Sequence, residues 1–153
     1  MDKLIRPVDI ATDSAEWLRM RLALWPHHDA DEMRADMRSW LDEPNSATFV
    51  AVRANGNLCG FIEVGQRKYA EGCESSPVGY IEGWYVDADV RGQGVGKMLG
   101  MAAEDWAREQ ALVEIASDTW LDNEISICAH LKMDYQETVR LVHFRKGIIK
   151  HTN

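Results

Sequence analysis

One short segment of the sequence is suited to binding an anion. Residues 91–97 read Arg-Gly-Gln-Gly-Val-Gly-Lys and follow a strand-like run that ends at Val86. An amphipathic helical run begins inside the segment, at Val95. Glycine lets backbone N–H groups approach a ligand without an intervening Cβ, and the first N–H groups of a helix attract negative charge. A phosphate-bearing ligand follows from this pattern.

Two familiar nucleotide-binding patterns do not fit the segment. A Walker motif needs four residues between its first glycine and its Gly-Lys pair, but only three separate Gly92 from Gly96. A Rossmann motif needs a glycine at position 97 or 99, where Lys97 and Leu99 stand. A glycine turn that binds nothing is the alternative, and the flanking arginine and lysine favour a ligand over it.

Two acids stand where strands would present them to a charged ligand. Glu82 lies in an apolar strand-like run, where period-two alternation predicts the same face as Trp84 and Val86. A carboxylate there is costly to bury unless it has a partner or faces a cleft. Asp118 follows the strand-like run 112–116, at the end where open sheets place ligand groups. An edge-strand surface glutamate and a helix-capping aspartate remain open as alternatives.

The elements that must position these residues follow from apolar periodicity. The order of strands and helices predicts a mixed α/β (α+β) fold, with one central mixed sheet flanked by about four helices. Asn55-Gly56 between two β-rich runs predicts a hairpin, and the polar residues 66–77 predict an ordered or mobile loop. The predicted strands are 3–6, 48–53, 58–64, 80–86, 112–116 and 138–144, and the predicted helices are 13–25, 29–41, 95–106 and 122–132.

Length and composition limit the class of protein. The 153 residues suit one domain, 1–153, and the net charge of −8 disfavours nucleic acid or an anionic membrane as partners. It favours solubility and a cationic partner. The start has no signal-peptide pattern, and no run approaches the roughly 20 apolar residues of a membrane span. Three widely spaced cysteines and scattered histidines indicate neither a disulfide framework nor a metal site, and a reducing cytoplasm is the expected compartment.

Residues 91–96 match the R/Q-x-x-G-x-G/A signature, so the chain resembles the GNAT N-acetyltransferase superfamily. Further segments, in order along the chain, resemble its aminoglycoside 6′-N-acetyltransferases, and the resemblance runs from Arg6 to Lys146. These segments are Leu24–Pro26, Ile81–Val86, Ala103–Ala107, Ala116–Thr119, Asp122–Glu124 and Phe144–Lys146. The resemblance implies the GNAT fold, direct acetyl transfer from acetyl-CoA to an aminoglycoside 6′-amine in a ternary complex, antibiotic resistance, and a homodimer.

The resemblance also implies where acetyl-CoA binds. Its pyrophosphate would lie on the backbone amides of residues 92–97, and the Val86 amide would face the oxyanion of the tetrahedral intermediate. Asn123 would bind the pantetheine arm, with a helix cap as its alternative role. The residues assigned to acetyl-CoA are Trp84, Tyr85, Val86, Arg91, Gly92, Gln93, Gly94, Val95, Gly96, Lys97 and Asn123.

For the amine substrate, the resemblance points to the two acids. Glu82 would contact the ammonium and accept its proton, directly or through water. Asp118 would bind the substrate, so Glu82, Val86 and Asp118 form the predicted catalytic set. The residues predicted to contact the substrate are Trp25, His28, Tyr69, Glu82 and Asp118. Glu74 is a weaker candidate.

The sequence departs from the family pattern at two positions. His130 stands where many relatives have a tyrosine acting as general acid, and a packed helix residue is favoured over catalysis there. Val139 stands where some aminoglycoside relatives carry an acid, two residues after Glu137. Two other functions remain open: a GNAT enzyme acting on another small amine or a peptide N-terminus, and an inert protein that binds acyl-CoA or a drug.

Overall fold

A computed structural model describes residues 4–149 of the chain. Five strands form one sheet in the order β1-β2-β3-β4-β5, antiparallel except for the parallel pair β4 and β5. The strands are β1 (Leu4–Pro7), β2 (Ser46–Val52), β3 (Leu58–Arg67), β4 (Val78–Val86) and β5 (Ile115–Ser117). The helices are α1 (Ile10–Leu24), α2 (Ala30–Leu41), α3 (Val95–Glu109) and α4 (Glu124–Lys132), with a 3₁₀ turn at Ala88–Val90. The predicted fold class is confirmed.

The chain divides into two compact units. The first runs to Asp118 and contains the sheet with α1, α2 and α3. The second begins at Thr119 and contains α4 and the residues after it.

Helices cover both faces of the sheet in the first unit. Helices α1 and α2 pack on β2 and β3. Helix α2 contributes two methionines spaced i and i+4, and α1 contributes an aromatic residue and a methionine. The buried members of this cluster are Trp17, Met20, Met33, Met37, Val50, Leu58 and Phe61. On the opposite face, α3 buries Leu99 and Ala103. Asp29 caps α2 as predicted, because its carboxylate accepts the N–H of Glu32 at 2.8 Å.

Helix α1 and strand β3 both extend beyond their predicted bounds. Helix α1 begins at Ile10 rather than 13, because Asp9 caps it by accepting the N–H of Ala11 at 3.0 Å. Strand β3 continues to Arg67, which pairs with Val78 of β4, so the loop between the strands spans only 68–77. Gln66 and Arg67 at the end of β3 are polar and have the pattern of a loop, so the sequence does not predict this extension.

The predicted strand 138–144 is wrong. Residues 135–149 contain neither helix nor strand, and Phe144 is 91% exposed. A strand needs a backbone partner as well as an apolar pattern, and the pattern alone does not supply one. Val139 and Leu141, which lie in the predicted run, are also exposed.

A β-bulge interrupts β4 at Glu82. Val64 of β3 lies opposite Ile81, and the preceding residue Glu63 lies opposite Gly83, so Glu82 is an extra residue on its strand. Such a residue reverses the alternation of side chains beyond it.

The glycines on either side of the bulge show this reversal. Gly79 and Gly83 are four residues apart and would share a face in a regular strand. A Cβ at Gly79 would instead lie 3.5 Å from Ala107 of α3, whereas one at Gly83 would lie 2.8 Å from Trp25 on the opposite face. The prediction that Glu82 shares a face with Trp84 and Val86 is therefore wrong, since it assumed regular alternation.

Candidate active site

The second half of β4 has an open edge. Strand β5 pairs only with residues 79–81 of β4 and ends at Ser117, while β4 continues to Val86. Within the described residues, 82–86 therefore have β3 on one side and no parallel strand on the other. We call residues 82–86 the open edge. A gap of this kind admits a ligand between the ends of two strands.

Val86 directs its backbone groups to the open edge. The N–H of Asp87 donates to the carbonyl of Cys59 in β3 at 2.8 Å. Neighbouring residues of a strand point their N–H and C=O groups in opposite directions, so those of Val86 point away from β3. Arg91 Nε donates to the Val86 carbonyl at 3.0 Å, which agrees with this direction. An oxygen placed at the open edge would meet the Val86 amide.

The segment 91–97, which we call the glycine turn, forms an anion cradle from backbone. Gly92 and Gly94 have φ angles of +77° and +83°, and a Cβ at either position would meet nothing within 4 Å. Gly94 is the N-cap of α3 and supplies no side-chain hydrogen bond, so the first N–H groups of the helix are left for a ligand. Residues 91–94 are exposed, as is Lys97. The geometry fits a pyrophosphate.

Trp84 and Tyr85 fix the strand beside the turn. The Trp84 indole donates to the carbonyl of Gly96 at 3.2 Å and so ties β4 to the first turn of α3. Tyr85 lies on the other face, where its ring is 6.2 Å from that of Phe61. Both residues thus support the fold around the predicted acetyl-CoA site, and their direct contact with the cofactor stays a prediction.

Two strands and the residue after β5 bring Glu82 and Asp118 into one group. Arg67 donates through Nε and Nη2 to the two carboxylate oxygens of Glu82, both at 2.8 Å. The same guanidinium lies 3.5 Å from the centroid of the Tyr80 ring. The Tyr80 hydroxyl in turn donates to Asp118. We call Arg67, Tyr80, Glu82 and Asp118 the acid cluster.

Two members of the acid cluster, Tyr80 and Arg67, have raised pKa values. Burial raises the pKa of Tyr80 well above its usual range, and the hydrogen bond to Asp118 raises it further. Tyr80 therefore stays a donor at neutral pH. The hydrogen bond to Glu82 raises the pKa of Arg67, which stays charged. Two carboxylates face one guanidinium, so the cluster favours an additional cation.

Trp25 is the only aromatic of the predicted substrate set that lies against this part of the sheet. Its ring abuts Gly83, next to Glu82, and packs edge-on against Phe61 at 6.4 Å. His28 is exposed, and its Nδ1 lies 3.7 Å from a carboxylate oxygen of Glu32. Tyr69 is 68% exposed in the loop 68–77. Of these three residues, Trp25 therefore has the most support as a predicted substrate contact.

The loop 68–77 is ordered by contacts at both ends. Glu114 accepts the backbone N–H groups of Glu74 at 2.9 Å and Ser75 at 2.7 Å. Ala70 is buried with Val78 in a small apolar cluster. The weaker candidate Glu74 thus has a backbone that holds the loop in place.

A buried ion pair beneath Trp25 was missed by the sequence reasoning. Arg21 of α1 donates to both carboxylate oxygens of Glu63 at 2.6 and 3.0 Å, and the Trp17 indole adds a third bond at 3.1 Å. The Arg21 guanidinium lies 4.9 Å from the Trp25 ring centroid. Glu63 is 1% exposed, and burial raises its pKa against the opposing effect of Arg21. An acid in an apolar strand, Glu63, is the sequence signal for this pair, but no pattern identifies Arg21 as its partner.

In the second unit, Asn123 and His130 both make local contacts. Asn123 caps α4 by accepting the N–H of Ser126 at 3.1 Å, as its alternative role implied. His130 Nδ1 lies 2.7 Å from the carbonyl of Ser126, and its ring is 5.4 Å from that of Tyr135. These are the contacts of a packed helix residue, and the binding of pantetheine by Asn123 stays a prediction.

Neither a membrane-spanning helix nor a metal-binding group of side chains is found between residues 4 and 149. No helix between residues 4 and 149 is both long and apolar enough to cross a membrane. Over the same residues, no group of three or more His, Cys, Asp or Glu side chains is arranged to hold a metal ion.

Comparisons with known proteins agree along the chain. Residues 14–135 match the Acetyltransferase (GNAT) family. A protein named aminoglycoside N(6′)-acetyltransferase type 1 from Klebsiella aerogenes is 43% identical over 148 residues, which are 95% of this chain and 97% of that one. A protein of the same name from Stenotrophomonas maltophilia is 41% identical over 134 residues, 87% of this chain and 86% of that one.

Solved structures show the same likeness. AAC(6′)-Iy in complex with the bisubstrate analog CoA-S-monomethyl-acetylneamine has a TM-score of 0.89 and 35% identity, covering 96% of this chain and 99% of that one. AAC(6′)-Ih from Acinetobacter baumannii has a TM-score of 0.87 and 31% identity, with the same coverage of 96% and 99%. These matches, which agree with the geometry of the glycine turn and the open edge, show that the chain belongs to the GNAT acetyltransferase family.

Proposed function

We propose that the protein is an aminoglycoside 6′-N-acetyltransferase that uses acetyl-CoA and so confers antibiotic resistance. The observation that carries the proposal is the acid cluster, which brings two carboxylates together at the start of the open edge. An aminoglycoside is a polycation, and paired carboxylates bind it by charge. The names of relatives that are 41–43% identical to the chain point to the same substrate.

In the proposed reaction, the 6′-amine attacks the thioester carbonyl within a ternary complex. Glu82 accepts the proton of the ammonium, directly or through water, so that nitrogen has a lone pair to form the N–C bond. The attacking nitrogen then loses a second proton as the C–S bond breaks. The thiolate takes up that proton, directly or through water, and CoA leaves as the thiol. The Val86 N–H would stabilise the oxyanion between these steps, a contribution of about 10²–10³ in rate for one donor.

The glycine turn is the proposed site of the acetyl-CoA pyrophosphate. Its positive-φ glycines and the uncapped start of α3 support this assignment, as does the exposed Lys97. Arg91 is held beside the turn by its bond to the Val86 carbonyl, 3.0 Å long, and adds positive charge there. The segment from Val86 to Lys97 would therefore contact both the thioester end and the phosphate end of the cofactor.

Three broader expectations belong to the same proposal. The family match crosses the boundary between the two units at Asp118, which supports one GNAT domain over 1–153. A cytoplasmic location suits an enzyme that consumes acetyl-CoA. Exposed apolar side chains near the C-terminus, such as Phe144 and Ile148, support a homodimer, and sedimentation velocity over a range of concentrations tests it.

Release of free CoA from acetyl-CoA, measured with a panel of amines, tests the function. We expect release with tobramycin and none above background with spermidine or an N-terminal peptide. Release with spermidine or the peptide alone would replace the aminoglycoside with another amine. Tight tobramycin binding without release would make the protein a drug-binding protein rather than an enzyme.

A further inference from the structure

The two substrate acids are held by two residues that no step of the proposed reaction uses. Arg67 and Tyr80 lie on β3 and β4 and are in contact with each other, 3.5 Å from guanidinium to ring centroid. Arg67 holds Glu82 and Tyr80 holds Asp118, so the acid cluster forms a continuous chain of contacts. Each acid is therefore held in a defined orientation by a side-chain hydrogen bond.

We propose that Arg67 and Tyr80 are positioning residues that fix Glu82 and Asp118 in the arrangement that receives the ammonium groups of the substrate. This inference rests on the proposed function. It assigns separate tasks to the two residues, because each bonds to a different acid.

Arg67 orients Glu82 without using up its capacity to bind. A carboxylate offers about four lone-pair positions, and the side-on pair with Arg67 takes two of them at 2.8 Å. The remaining positions can accept an ammonium N–H. Stacking on the Tyr80 ring holds the guanidinium plane, which a lysine could not reproduce.

Tyr80 orients Asp118 from a rigid position. The Tyr80 side chain is buried in β4, whereas Asp118 is exposed just beyond the end of β5. An exposed aspartate after a strand has free rotation unless something holds it, and ordering such a side chain on binding costs affinity. The Tyr80 hydroxyl removes this cost before the substrate arrives.

Tyr80→Phe and Arg67→Gln separate the two tasks in steady-state kinetics. Y80F keeps the ring under Arg67 and removes only the hydroxyl, so the KM for tobramycin should rise about tenfold with kcat nearly unchanged. R67Q should lower kcat by about tenfold or more, since Glu82 loses its orientation. R67K should recover part of this loss, and none of the three changes should alter the KM for acetyl-CoA.

Arg34→Gln is the matched control for R67Q. Arg34 pairs with Asp31 at 3.0 Å on the exposed face of α2, so R34Q removes the same charge from an exposed ion pair. It should leave all kinetic constants at wild-type values. The double variant Y80F/R67Q should show both the raised KM of Y80F and the lowered kcat of R67Q, because each residue bonds to a different acid.

The outcomes distinguish this inference from the function on which it rests. If the wild type acetylates tobramycin and both Y80F and R67Q are indistinguishable from R34Q, the positioning roles alone are overturned. Absence of tobramycin acetylation by the wild type would overturn the function and this inference together. If Y80F melts far below the wild type, R67Q and R67K decide the matter, because Arg67 has a side chain that is 42% exposed.

Discussion

The glycine turn and the acid cluster are built by different means. The turn is a contiguous stretch of seven residues, 91–97, that presents backbone N–H groups through two left-handed glycines and a helix start. The acid cluster collects side chains from β3, β4 and the residue after β5, and joins them by ion pair, stacking and hydrogen bond. The first depends on local conformation, and the second on strand register.

This contrast predicts different responses to mutation. The acid cluster should be sensitive to single side-chain changes that keep the backbone intact. The glycine turn should be sensitive to changes of backbone conformation and tolerant of changes in the side chains around it. Four substitutions, from the largest expected effect to the smallest, test this difference.

Glu82→Gln should have the largest effect on catalysis. The amide keeps the shape of the carboxylate but cannot accept the ammonium proton, so kcat/KM for tobramycin should fall about 10²–10⁴-fold. Asp31→Asn, an exposed acid on α2, changes the net charge equally and should leave the rate unaltered. A rate for E82Q close to that of D31N would remove Glu82 from the mechanism.

Arg21→Met should have the largest effect on stability. It leaves Glu63 buried without its ion-pair partner, which costs about 3–5 kcal/mol in the free energy of unfolding. Arg34→Met removes an exposed arginine and should change stability by less than about 1 kcal/mol. Urea unfolding at pH 7 measures both, and equal values for the two variants would show that the buried pair does not support the acid side of the site.

The same variant should respond to pH in a defined direction. Burial raises the pKa of Glu63 and Arg21 opposes this rise, so R21M should raise the pKa of Glu63 above its wild-type value. A carboxyl whose folded pKa lies above its unfolded value contributes stability below the unfolded pKa, and this is lost as pH rises through the folded pKa. The stability deficit of R21M relative to wild type should therefore shrink as pH falls from 8 to 5, and a growing deficit would contradict this.

Gly94→Ala tests the glycine turn against a matched glycine. Gly94 and Gly56 have φ angles of +83° and +89°, and a Cβ at either would meet nothing within 4 Å. Each alanine should cost about 1–2 kcal/mol of stability, because L-residues avoid this region. Only G94A should weaken acetyl-CoA binding, by about tenfold or 1.4 kcal/mol. Equal acetyl-CoA affinity in G94A and G56A, measured by calorimetry, would separate the turn from the cofactor.

Asp87→Asn should have the smallest effect, although Asp87 lies directly before the turn. Its carboxylate accepts from Arg19 at 2.9 and 3.0 Å and from Arg53 at 2.9 Å. Burial raises the pKa of Asp87, and these arginines outweigh it, so the pKa is lowered. A lowered carboxyl pKa gives stability above the unfolded pKa that is lost as pH falls through the folded pKa.

D87N should therefore flatten the acid side of the stability curve by about 1–2 kcal/mol. It should change the KM for acetyl-CoA less than G94A does, because the turn takes its form from its own backbone. An acid limb identical to that of the wild type, or a larger KM effect than that of G94A, would contradict this.

The same contrast explains which features could be predicted from the sequence. The glycine turn and the cap at Asp29 are local patterns, and both are confirmed in the structure. The bulge at Glu82 depends on how β3 pairs with β4, which no local pattern records. The polar residues at the end of β3 predict a loop at Arg67, so the sequence does not predict the pairing of Arg67 with Glu82.

The C-terminal part of the chain shows the limit of periodicity. Residues 138–144 have an apolar pattern typical of a strand, and Val142 and Phe144 are exposed instead of paired. Pattern predicts which side chains avoid water but does not identify the surface that covers them. The partners of Glu82 and Asp118 are hard to predict for the same reason, since they come from distant positions in the chain.

The central claim is that the protein acetylates the 6′-amine of an aminoglycoside. Neomycin and paromomycin differ only at this position, where neomycin carries an amine and paromomycin a hydroxyl. With acetyl-CoA and wild-type protein, mass spectrometry should show one acetyl group added to neomycin and none to paromomycin. Equal acetylation of both compounds, or of neither, would contradict the claim.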